Sequence, residues 1–106
     1  MRNHWNQLSD ALTRAGIVNR LTTKTYWGGT YYRPIEKVGY NIDVFAGNTL
    51  IQISDSWWRK NTNKWLGWKV TAVNRKTDFD IRNAQLVKNV DELVAVVAQM
   101  IEEASA

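Results

Sequence analysis

Between Ser56 and Lys76 the sequence carries Arg59, Lys60, Lys64, Lys69, Arg75 and Lys76 with no acid, interleaved with Trp57, Trp58, Trp65 and Trp68. Cations follow phosphates and aromatic rings stack on bases, so this composition fits a surface for single-stranded nucleic acid. Each base stack contributes about 1 to 3 kcal/mol and accepts every base, because every base has a π-face. The same residues have a plainer use. A cross-strand Trp58 and Trp65 pair stabilises a hairpin by about 0.2 to 1 kcal/mol, and lysines flanking a polar turn keep a sheet edge from aggregating.

Other constellations point away from catalysis. His4 is the one histidine, on an expected first helical turn without a serine or cysteine motif beside it, which reads as a surface or capping residue rather than a general base. The chain has no cysteine, so disulfides, thiolate metal sites and a cysteine nucleophile are excluded. Asp78 and Asp80 are expected on one face of a strand, and two acids one alternation apart read as a solvated face rather than a cation site. No catalytic residue, metal or cofactor is expected. Gly28 and Gly29, between Tyr26, Trp27 and Thr30, Tyr31, Tyr32, read as a turn or bulge needing positive φ rather than a ligand loop; the phosphate-loop spacing is absent.

The elements that position these residues follow from periodicity. Trp5, Leu8 and Leu12 make one apolar stripe of a helix over 4–15, with Asn3 at its start and Arg14 and Gly16 at its end. Residues 21–33 read as an irregular hairpin or edge, interrupted by Gly28 and Gly29 and ended by Pro34. Val38, Tyr40, Ile42 and Val44 alternate with polar residues, as do Ile51 and Ile53, and Leu66, Trp68, Val70 and Ala72, giving antiparallel strands. A weaker fourth strand is expected over 77–82, with Phe79 and Ile81 on one side. Leu93, Val96, Val97, Met100 and Ile101 mark an amphipathic helix over 90–104, capped by Asn89 with Glu92. Its outward face carries Asp91, Glu92, Glu102 and Glu103, a solvated face or, set against the basic segment, a site for self-association or a basic partner.

Placing the apolar residues of neighbouring strands on one face sets the register, since a slip of one residue reverses every side chain. With a four-residue loop over 60–63, Ile53 pairs with Val70 and Ile51 with Ala72, with Trp57 opposite Leu66. On the other face Trp58 pairs with Trp65, Ser56 with Gly67, Ser54 with Lys69 and Gln52 with Thr71. This sends Trp57 and Trp68 toward the helices and leaves Trp58, Trp65 and Lys69 on the uncovered face.

The 106 residues, 14 Lys plus Arg against 10 Asp plus Glu, and 44% hydrophobic content describe one α+β domain over residues 1–106: an N-terminal helix, a three- to four-stranded antiparallel meander, and a C-terminal amphipathic helix on one sheet face. A disordered chain and a membrane span are excluded by composition, and the start lacks an apolar leader, so a cytoplasmic protein is expected. The element order resembles that of double-stranded RNA-binding domains. Their basic stretch at the start of the final helix is replaced here by Asn89, Val90, Asp91 and Glu92. A meander with a terminal helix also resembles the single-stranded-DNA-binding domains of transcriptional coactivators, with Ile51 to Val70 as the matching pattern. These are likenesses of fold and carry no function across. The reading is a small non-catalytic protein contacting nucleic acid, single-stranded by preference, through Trp58, Arg59, Lys60, Lys64, Trp65, Lys69, Arg75 and Lys76. The alternative is a protein-interaction or inhibitor module using the same aromatics as anchors. Sugar binding ranks last, since it needs no basic run.

Overall fold

In the computed structural model, which describes residues 2–29, 31–32, 34–57, 65–81 and 83–105, one antiparallel sheet organises the chain. Its order is β1-β2-β3-β4-β5, from β1 (Arg20–Gly29), β2 (Pro34–Ala46), β3 (Thr49–Trp57), β4 (Trp65–Asn74) and β5 (Gln85–Val87). Helix α1 (Arg2–Arg14) precedes it and α2 (Val90–Ser105) follows. The α+β class and the helix–meander–helix order are as the sequence indicates, with five strands in place of three or four.

Both helices cover the same face. Trp5, Leu8 and Leu12 of α1 and Leu93, Val96, Val97 and Met100 of α2 share one buried cluster with Ile42, Val44, Ile51, Ile53, Trp68, Val70, Ala72 and Val87. These are the alternate residues of β2 through β5, so period two in the strands meets period 3.6 in the helices at one core. Helix α1 ends as its sequence requires. Gly16 takes φ +81°, the Ile17 N–H donates to the Leu12 carbonyl at 2.9 Å and the Gly16 N–H to the Thr13 carbonyl at 3.0 Å, a Schellman pair that satisfies two helix-end acceptors. Asn3 lies within α1 instead of capping it. At the start of α2, the Asn89 side-chain oxygen accepts from the Glu92 N–H at 3.2 Å, the capping interaction read from the sequence.

Three segments differ from expectation. The segment expected as an irregular hairpin or edge is a regular edge strand, β1, at one end of the sheet order: it pairs with β2 without a break from Arg20↔Asp43 to Gly29↔Pro34, with Gly28 and Gly29 inside the paired strand rather than at a turn or bulge, and Pro34 opens β2, a position a strand tolerates. The fourth strand expected over 77–82 is an isolated Val73↔Asp80 bridge after a turn. There Asn74 accepts from the Lys76 and Thr77 N–H groups at 2.9 and 3.3 Å, and Asp78 takes φ 58°. That left-handed residue breaks the alternation, so Asp78 and Asp80 do not share a strand face, and Phe79 and Ile81 are exposed. The pairing role falls to β5, with Trp68↔Val87 and Val70↔Gln85.

The β3–β4 register is as derived from Ile51↔Ala72 through Ser56↔Gly67. It then slips: Trp57 pairs with Trp65, not with Leu66, so Leu66 is the extra residue of a bulge and the Trp58–Trp65 pairing is replaced by Trp57–Trp65. Gly67, beside it, takes φ +133°, a conformation that side-chain-bearing residues rarely adopt. Helix packing on one face and this bulge together decide what the other face presents.

Candidate functional site

Register fixes the rows of the helix-free face. One row is polar: Arg20 stands opposite Asp43, Asp43 opposite Gln52, and Gln52 opposite Thr71. The row nearer the 47–48 turn is apolar, Phe45 opposite Leu50 and Leu50 opposite Val73, with Asp80 bridged to Val73 beyond it. On the other side of the polar row, Ser54 faces Lys69 and Lys69 faces Leu86. Phe45 and Leu86 are 48% and 49% exposed, so the absence of a covering helix leaves apolar rings and side chains in solvent here.

Cations gather around Phe45. The Arg75 guanidinium carbon lies 4.8 Å from the ring centroid and that of Arg20 5.9 Å, each contact contributing about 0.5 to 1 kcal/mol at an exposed site. Arg20 also pairs with Asp43 at 3.8 Å, and the Asp43 carboxylate accepts from the Gln52 amide at 3.3 Å. Arg75 is held through its backbone, since its N–H donates to the Asn48 carbonyl at 2.7 Å. The turn after β4 is thereby tied to the β2–β3 turn, and the Arg75 side chain is delivered onto the Phe45 ring.

Of the residues singled out from sequence, the described ones are spread along β4 and the turn that follows it. Lys69 is exposed on the helix-free face in mid-β4. Arg75 and Lys76 are exposed at the C-terminal end of β4, whereas Trp65 opens the strand at its other end, roughly 30 Å away at ~3.4 Å per residue. Trp58, Arg59, Lys60 and Lys64 lie outside the described residues. Trp68 is buried as expected, and the exposed His4 ring stacks on it at 4.8 Å and 16°.

Sequence reasoning missed Arg20, Asp43, Phe45 and Gln52. The available signal was Phe45 itself, which follows Val44 and breaks the alternation of its strand. Two further features bear on chemistry. Among the described residues no group of three or more His, Asp or Glu side chains is placed to hold a metal. An apolar groove of about 370 Å³, lined by Ile17, Val18, Val44, Ala98 and Ile101 among others, has no titratable lining residue. The acids of α2 (Asp91, Glu92, Glu102 and Glu103) are exposed on the helix that covers the opposite face of the sheet. Among the described residues no helix is long and apolar enough to cross a membrane. No family model, curated protein or solved structure matches the chain, so neither likeness drawn from element order gains support from a match.

Proposed function

We propose that the protein is a non-catalytic, cytoplasmic binding module that takes single-stranded nucleic acid on its helix-free sheet face. The observation that carries this reading is the coincidence of an uncovered face with exposed cations and apolar groups on it: Lys69 beside Leu86, and Arg75 and Arg20 around Phe45. A single strand needs a cationic track and flat apolar contacts. The acidic face of α2, on the far side of the sheet, orients the domain with its cationic side toward a polyanion.

Fluorescence anisotropy of labelled single-stranded oligonucleotides at several salt concentrations tests the reading. Binding that weakens steeply with salt supports it, because phosphate contacts release counterions. No binding at low salt removes it. Capture of one stoichiometric protein from lysate, insensitive to nuclease and weakly dependent on salt, replaces it with the protein-interaction alternative, in which the exposed aromatics are anchors.

A further inference from the structure

We propose that Arg20, Phe45 and Arg75 form a seat for one phosphorylated nucleotide, its base against the Phe45–Leu50–Val73 row and its phosphate on the two guanidiniums. The inference rests on the helix-free face being the nucleic-acid surface, and it says where on that face a nucleotide is anchored. It lies at the opposite end of β4 from Trp65.

Arg75 is prepared for an anion. Its backbone is bonded to Asn48, its guanidinium lies on the Phe45 ring, and among the described residues no carboxylate pairs with it. A guanidinium held against an aromatic face keeps its N–H edge for a ligand, and that planar fork matches two phosphate oxygens. Arg20 brings a second guanidinium to the same ring, aimed by Asp43. The floor beside them is apolar and spans about 10 Å from Phe45 across Leu50 to Val73, at ~4.8 Å per strand, the breadth of a base.

Neighbouring polar groups favour a nucleotide over an acidic peptide. The Gln52 amide nitrogen donates to Asp43, which leaves its carbonyl oxygen to accept from a base N–H about 7 Å along the strand from Leu50. Asp43 and Asp80 flank the row on two sides and oppose further carboxylates. A ligand with one anionic end and a flat ring bearing N–H donors meets all of these groups.

The test is an amide-resolved NMR titration of the full chain with adenosine monophosphate, adenosine and inorganic phosphate, alongside oligonucleotide anisotropy. Expected are shifts at Phe45, Leu50, Val73 and Arg75 with the monophosphate, and about tenfold weaker binding of adenosine and of phosphate, the loss of one good contact each. Arg75→Lys keeps the charge but loses the fork and the stack, and should weaken the monophosphate by about tenfold. Phe45→Ala, with its fold checked by spectral dispersion, should act like Arg75→Lys. Inorganic phosphate binding as well as the monophosphate, shifts confined to other residues, or indifference to Arg75→Lys would each overturn the seat. If the seat alone fails, oligonucleotides still bind while the monophosphate leaves Phe45 unmoved. If the surface reading alone fails, the monophosphate shifts Phe45 while oligonucleotides do not bind.

Discussion

A Cβ on Gly67 would stand 2.7 Å from the carbonyl oxygen of Val87, so β5 approaches β4 as closely as it does because position 67 has no side chain. Close approach and positive φ coincide there. Gly67→Ala therefore meets both a backbone clash and a strained conformation, and should cost about 3 kcal/mol. Gly16→Ala meets only its φ of +81°, with nothing within 4 Å, and should cost about 1 kcal/mol. Urea denaturation of the two variants checks this, and equal costs would mean that β5 moves aside.

Helix α2 supplies a second measurement. Val97 is fully buried against the sheet, whereas Ala95 on the same helix is exposed. Val97→Asp buries an unpaired charge and should destabilise by about 3 kcal/mol or more, while Ala95→Asp should stay within about 1 kcal/mol. Thermal unfolding distinguishes them, and a Val97→Asp variant melting like wild type would show that α2 does not pack on the core.

The register of β3 against β4 makes adjacent residues opposite in role. Trp68 is 1% exposed, stacked under His4 and paired with Asp55 on the core-facing side, whereas Lys69 is exposed on the other face. Trp68→Ala should cost about 3 to 5 kcal/mol and Lys69→Ala less than about 0.5 kcal/mol. Comparable losses in chemical denaturation would mean that the strand faces are assigned the wrong way round.

These contrasts show where the sequence was legible. Strict alternation over Ile51–Ile53 and Trp68–Ala72 decided which residues share the core face, a four-residue loop over 60–63, outside the described residues, chose the pairing within that parity, and the buried stripe of α2 was readable because five apolar residues recur at helical spacing. The bulge was not readable in place. Gly67 marks an irregularity, but the close pass of the Val87 carbonyl that requires a glycine there is a contact 20 residues away in the chain. Strand β5 escaped notice because three residues, only Val87 of them buried, carry no periodicity. The seat around Phe45 was hidden for a related reason: Arg20, Phe45 and Arg75 are distant in sequence and meet only once β1, β2 and the turn after β4 are laid side by side.

Strand β4 sets the spacing between two cations of the helix-free face. Lys69 and Arg75 are six positions apart on one chain, roughly 20 Å at ~3.4 Å per strand residue. A nucleic-acid strand covering that distance needs about six nucleotides when stacked at ~3.4 Å each. A twelve-nucleotide probe should therefore engage both cations, and each alanine substitution should lower the slope of log K against log salt by about 0.7, the single-strand value per phosphate. The double variant should lower it by about 1.4, since the sites are too far apart to share a phosphate. A four-nucleotide probe reaches one cation at a time, so the double variant should change its slope by no more than about 0.7. Anisotropy titrations of wild type and the three variants with both probes, at several salt concentrations, give all eight slopes. If the long and short probes respond alike to the double variant, the strand does not run along β4, and the path across the helix-free face is wrong.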